Sequence, residues 1–163
     1  MGSADGPHHA KAVRTAIETA AVAAVDALAE ADPPVPTGHP YADLVAEVEH
    51  SRRCLTEANA LALAAVMLGD GSEATLRERY LEAVVLPRQT RVRACLQDAV
   101  AKGLIDPDAD LDTAGTMLTG SWYACALAGR QPPPDWAHRV AALVWRCLGG
   151  DPPRPVPGRD LRV

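Results

Sequence analysis

Between Leu111 and Ala128 the chain carries a single charged side chain, Asp112, at the very start of the stretch. Its apolar residues recur at helical spacing, with Leu111, Ala114, Leu118, Trp122 and Cys125 on one face. Met117, Ser121, Ala124 and Leu127 fall on a second face, with Thr116, Gly120 and Tyr123 between them. A helix this poor in charge is not a half-exposed surface helix. It approaches membrane length, but Gly, Thr, Ser and Tyr dilute it and no second span accompanies it. The spacing therefore predicts burial on two sides, one against the chain's own core and one against a second copy. Complete enclosure within a single subunit is the alternative.

The elements before it are helical as well. A helix is expected from about Glu73 to Lys102, with Ser72 as its N-cap and Leu76, Tyr80, Val84, Leu96 and Val100 in its stripe. Pro87 interrupts that stripe and should kink or restart the helix, because it lacks an N–H and its ring crowds the preceding turn. Lys102-Gly103 marks the end, and Leu104 and Ile105 should tuck beneath the turn. Asp106 to Asp112 supplies carboxylates for the next N-terminus. Further upstream, Ala10, Val13, Ile17, Ala21, Val25 and Leu28 make one stripe over His9–Glu30, ended by Asp32-Pro33-Pro34-Val35-Pro36. Residues 41–68 read as one helix by propensity, with Leu44, Val45 and Val48 inward and Glu47, Glu49, Arg52 and Arg53 outside. After the Pro132-Pro133-Pro134 connection, Asp135 can cap a last helix. That helix should bury Trp136, Val140, Leu143, Val144 and Cys147 on one side, with Ala141, Trp145 and Leu148 on another.

No run of alternating β-branched residues suggests a strand, so the expected class is all-α, a bundle of about six helices. At 163 residues one domain is natural: a mobile start at 1–8, the domain at 9–150 and a proline-rich tail at 151–163. With no Phe and 4% aromatics, the core must be built from Ala, Val and Leu. The net charge of −5 argues against this stretch neutralising phosphates alone, and Arg88, Arg91 and Arg93 read as a solvated face. Cys54, Cys95, Cys125 and Cys147 are spaced for neither zinc nor a disulfide framework, so they read as buried thiols in a reducing cytoplasm. No secretion leader or myristoylation pattern opens the chain.

Two carboxylate–histidine pairs, Glu47-x-x-His50 and Asp135-x-x-His138, have the i, i+3 spacing that helical bundles use for paired metals. Such a centre also needs inward carboxylates from two further helices, and Glu18, Glu57 and Glu82 lie off their stripes. His50 and His138 also read as solvent-facing. No nucleophile with a neighbouring base stands out, and Gly69-Asp70-Gly71-Ser72 lacks the lysine and the strand of a phosphate loop.

Taken in order, Leu76-Arg77-x-x-Tyr80, Pro87-Arg88, Lys102-Gly103-Leu104-Ile105, Asp110, and a nearly uncharged helix containing Gly120 resemble one known pattern. It is the C-terminal regulatory half of TetR-family, tetracycline-repressor-like, transcription factors. The resemblance covers about residues 40–150 well and 10–30 loosely. It implies a helix break near Ser51–Glu57, a homodimer built through a four-helix interface, and a small, largely apolar effector held between helices. The family's helix-turn-helix is not in this sequence, so DNA would be reached only through a segment absent from it. Neither a cofactor nor a catalytic reaction is implied, and neither is a membrane. Val48, Arg52, Tyr80, Val84, Arg91, Met117 and Trp122 are the candidate ligand-lining residues. Thr116, Gly120, Tyr123, Leu127, Val144 and Leu148 are the candidate dimer-seam residues. A bundle metalloenzyme using the two acid–histidine pairs, and a dimerising module without ligand, are the competing readings.

Overall fold

In the computed structural model of the chain, residues 6–58, 60, 63–64 and 74–153 are described, and among them every regular element is helical. The first is α1, Gly6–Glu30, which begins slightly before the expected His9. It is followed by α2, Pro40–Glu57, then α3, Ala74–Tyr80, which runs without a gap into α4, Leu86–Ala101. α5 spans Leu111–Leu127 and α6 spans Trp136–Cys147. Ser72, the Gly69–Gly71 turn, Leu61, Ala65 and Leu68 lie outside the described residues, as do the first five residues and the tail from 154 onward.

Local chemistry explains the boundaries. Pro40 opens α2, where its missing N–H costs nothing. Asp43 reaches back from the first turn to accept from the Thr37 N–H at 2.8 Å, the Thr37 hydroxyl at 2.6 Å and the Gly38 N–H at 3.0 Å. Burial pushes the Asp43 carboxyl upward, but these three bonds outweigh it and hold it below its ordinary range. α2 ends at Glu57, and Ala60, Leu63 and Ala64 are helical again, so a break falls at the far edge of the Ser51–Glu57 window. Pro87 acts as expected, by a specific device. Leu81–Val85 is wound as a π-helix, and the Leu86 N–H bonds to the Leu81 carbonyl five residues back. That widened turn makes room for the proline ring, and the chain continues as α4.

Gly103 takes a left-handed φ of 65°, and the Leu104 N–H returns to the Ala99 carbonyl at 2.9 Å, closing α4. Ile105 is buried beneath that turn, whereas Leu104 stays exposed. Asp110 caps α5, accepting from the Thr113 N–H at 3.0 Å and its hydroxyl at 2.6 Å. Asp135 makes no such bond and instead lies 3.8 Å from Arg139, so its expected capping role is not realised.

Two apolar cores result. The larger lies among α2, α4, α5 and α6, with Leu44, Val48, Leu96, Leu118, Val144 and Trp145 at its centre. Tyr41 meets the Trp145 ring edge-to-face at 5.2 Å. The smaller core gathers Ala21, Val25 and Leu28 of α1 with Cys54, Leu63, Leu76 and Val84. α1 packs on α3 and the π stretch, joined there by an exposed ion pair between Arg79 and Asp26 at 2.6 Å. Only the C-terminal half of its predicted stripe is covered, and Val13 and Ile17 remain exposed.

The last helix corrects one expectation. Trp136, Ala137, Val140, Ala141, Val144, Trp145 and Leu148 are buried, whereas Leu143 and Cys147 face outward. The buried arc spans the i, i+4 and i+1 rows between α2 and α5, which leaves Leu143 and Cys147 on the opposite side.

Candidate functional site

A layer of polar side chains from α2, α3, α4 and α5 lies beside the two cores. Tyr80, which packs against the smaller core, and Tyr123, which packs against the larger, bring their hydroxyls to 3.2 Å. The Trp122 ring meets the Tyr123 ring edge-to-face at 5.1 Å. Burial and the bond to Tyr80 push the Tyr123 phenol well above its ordinary range, against the opposing pull of the Arg88 charge.

Glu47 of α2, only 4% exposed, receives the Arg91 Nε at 2.9 and 3.0 Å on its two oxygens. Burial still holds its carboxyl above the usual range, because the charges of Arg91 and Arg88 offset desolvation only in part. One turn on, His50 is buried with its ring Nε2 at 3.6 Å from the Cys54 sulfur. Burial, and then the charges of Arg88, Arg91 and Arg53, lower its pKa. Arg88, one turn before Arg91 on α4, thus acts on Glu47, His50 and Tyr123 alike.

Among the described residues, two donors in this layer have no partner. Arg88 Nη2 and Trp122 Nε1 are buried and make no hydrogen bond. On its outer side the Glu47–Arg91 pair lines a cavity of about 220 Å³ walled by Pro34, Val35 and Pro36 of the α1–α2 connection and by Ala94 and Cys95 of α4. Burial, with some help from the Glu47 and Asp43 charges, raises the Cys95 thiol to about 11, so it stays protonated.

The predicted ligand-lining residues divide. Tyr80, Val84, Arg91 and Trp122 reach the layer or the core surfaces that bound it, and Val48 is fully buried in the larger core. Arg52 turns away to a bidentate pair with Glu49 one turn earlier, its Nε at 2.9 and 3.0 Å. Met117 is nearly half exposed on the outer face of α5. Glu47 and His50, expected outside, are inside, and Arg88, expected on a solvated face, contributes a buried nitrogen. Their helices are covered on more than one side, since α2 packs on α4 and α6 together. A single apolar stripe cannot report that second covered face.

These arginines also bear on the metal reading. Glu47 is engaged by Arg91, Asp135 faces Arg139, and His138 is exposed. Among the described residues no three His, Cys, Asp or Glu side chains are grouped to hold an ion.

The predicted seam residues also divide. Thr116, Gly120 and Leu127 lie on an exposed face of α5, Leu127 being 74% exposed, and no atom of the described residues stands within 4 Å of a Cβ built on Gly120. Tyr123 instead turns its hydroxyl inward to Tyr80. Val144 and Leu148 are in the chain's own core, so the apolar residues that α6 offers outward are Leu143 and Cys147. Met117, Ala124, Leu127 and Leu143 remain uncovered. No helix among the described residues is long and apolar enough to cross a membrane.

Comparison with curated proteins and with solved structures finds no match. Residues 34–144, most of the chain, match the family described as "Tetracyclin repressor-like, C-terminal domain". The match runs from the proline connection before α2 to Val144 in the last turn of α6, and so takes in both Tyr80 and Tyr123. The chain belongs to the tetracycline-repressor-like family of transcription regulators, of which residues 34–144 are the C-terminal domain.

Proposed function

We propose that the chain is the effector-binding and dimerisation domain of a transcriptional regulator, and that the polar layer beside the two cores is its effector site. The observation that carries this reading is the pair of unpartnered buried donors, Arg88 Nη2 and Trp122 Nε1, set among aromatic and apolar walls. A mostly apolar site with a few convergent polar groups is the usual form of a small-molecule pocket. Its position supports a switching role. α1 packs on α3 and the π stretch, while the larger core holds α5 and α6. A molecule bound in that layer shifts α1 relative to α5 and α6, provided it binds one arrangement better than the other.

The face carrying Met117, Gly120, Ala124, Leu127 and Leu143 is the dimer seam, completed by its copy into a four-helix interface. DNA is contacted through a helix-turn-helix outside this sequence, in the cytoplasm, and the domain itself catalyses no reaction.

Hydrogen exchange on the full chain tests the switch. A bound small molecule is expected to protect Leu81–Val85 and the C-terminal half of α1. Protection confined to the outer faces of α5 and α6 would overturn the assignment of the site. Sedimentation tests the dimer, and a monomer at micromolar concentration would refute the seam.

A further inference from the structure

We infer that the effector is a monoanion, a small organic acid with an aromatic or apolar body, whose charged group is received by Arg88 and the Trp122 indole N–H. The inference rests on the reading of the polar layer as the effector site and deepens it.

Both unpartnered atoms are obligate donors, since neither guanidinium nor indole nitrogen accepts a hydrogen bond. Native interiors leave few such groups unsatisfied, because each forfeits its hydration without replacement. Here both act on one residue. The Arg88 charge is felt by the Tyr123 phenol, and the Trp122 ring lies against the Tyr123 ring. Trp122 is only 5% exposed, which puts its N–H beyond the reach of bulk water. What completes this site must be an acceptor.

Charge decides which acceptor. Arg91 is neutralised by Glu47, both of whose oxygens it contacts. His50 is driven toward its neutral form by burial and by the surrounding arginines. Arg53 and Glu57, both exposed, act on His50 with opposite signs, Arg53 the more strongly. Among the described residues Arg88 is then the cation of this layer that makes no ion pair of its own, its charge reaching Glu47 only at longer range than Arg91 does. A neutral acceptor would satisfy the indole and leave that charge unmatched. A dianion would place a second negative charge near Glu47, whose carboxyl already resists ionisation. One negative charge fits. The remaining walls, Val84, Trp122 and the two tyrosine rings, favour an apolar or aromatic body.

The test uses matched pairs differing only in charge: 1-naphthoate with 1-naphthamide, and phenylacetate with phenylacetamide, titrated calorimetrically into the full chain. In at least one pair the acid is expected to bind tenfold or more tightly than the amide, and to shift the Trp122 indole N–H resonance. Arg88→Gln should bring that ratio close to one by weakening the acid far more than the amide, and Arg88→Lys should keep a preference for the acid. If Arg88→Gln loses helicity, the Lys variant and the indole resonance carry the test. Amides binding as well as acids, or an acid preference that survives Arg88→Gln in the folded protein, would overturn the monoanion while leaving the pocket standing. If neither acids nor amides bind, and the uncharged dye Nile red leaves the Trp122 resonance unmoved, the effector-site reading itself fails.

Discussion

The carboxylate of Glu47 and the guanidinium of Arg91, 44 positions apart in the chain, meet at 2.9 and 3.0 Å and tie α2 to α4 within the protein. Neither partner is readily replaced alone. Arg91→Met leaves a buried carboxylate unpaired and should cost about 2–3 kcal/mol in urea unfolding, because an uncompensated charge is the expensive outcome. The double variant Glu47→Gln/Arg91→Met should recover more than half of that loss. Strictly additive losses would show that the pair is not coupled.

The Tyr80 and Tyr123 hydroxyls make the corresponding tie between α3 and α5. Tyr80→Phe and Tyr123→Phe should each lower stability by about 1 kcal/mol, and the double variant should lose little more than either, since both remove one bond. Ultraviolet titration should find the Tyr123 phenol resisting ionisation well above the ordinary tyrosine range, given its burial. A Tyr123 that ionises normally would contradict the inward placement.

His50 makes stability depend on pH. Its pKa in the folded chain lies below the ordinary 6.5, so below that value the unfolded chain binds the extra proton first. Stability should therefore fall as pH drops from about 6.5 toward the folded-state pKa, and level off beneath it. Glu47, raised by burial, acts oppositely: its contribution falls as pH rises from its ordinary 4.5 through the folded value. His50→Gln should flatten the upper part of the profile. A slope unchanged by that variant would place the titrating group elsewhere.

Gly120→Arg separates folding from assembly. The position is exposed and no atom of the described residues lies within 4 Å of an added Cβ, and arginine suits a helix better than glycine does. The variant should keep its helicity and thermal stability as a single chain, yet weaken the dimer about a hundredfold or more by sedimentation, because a charge would be forced into the seam. Leu143→Glu should behave alike. An intact dimer in both would refute the seam. Val144→Glu, by contrast, should unfold the chain, because Val144 is only 1% exposed.

Gly150 lies where an added Cβ would strike the Trp145 ring and the Leu104 carbonyl oxygen. Gly150→Ala should therefore cost about 1–3 kcal/mol, as overpacking does, with a matching fall in the unfolding midpoint. A neutral effect would mean the α6 terminus is free to move away from Trp145.

The helices themselves were legible because their causes are local. Lys102-Gly103, Asp110 and Pro87 act through atoms within a few residues, and each does what its chemistry requires. The site was only half legible. Tyr80, Arg91 and Trp122 lie on stripes and could be singled out, but the inward turn of Glu47, His50 and Arg88 depends on which helices cover α2 and α4. The signal that could have found them is the triad itself: a carboxylate on α2 and two arginines a turn apart on α4, each beside a stripe rather than opposite it.

What the chain order settled by itself is the helical class, most of the places where helices start and stop (though not the end of α2 at Glu57), and a segment near 111–128 too poor in charge to face water on all sides. Periodicity and capping are short-range effects, so neighbouring residues suffice to decide them. Tertiary packing alone decided that Val144 and Leu148 point inward, that Leu143 points out, and that Tyr123 bonds across to Tyr80. A helix with two apolar faces does not say which neighbour takes which, because that depends on the angles at which distant helices cross.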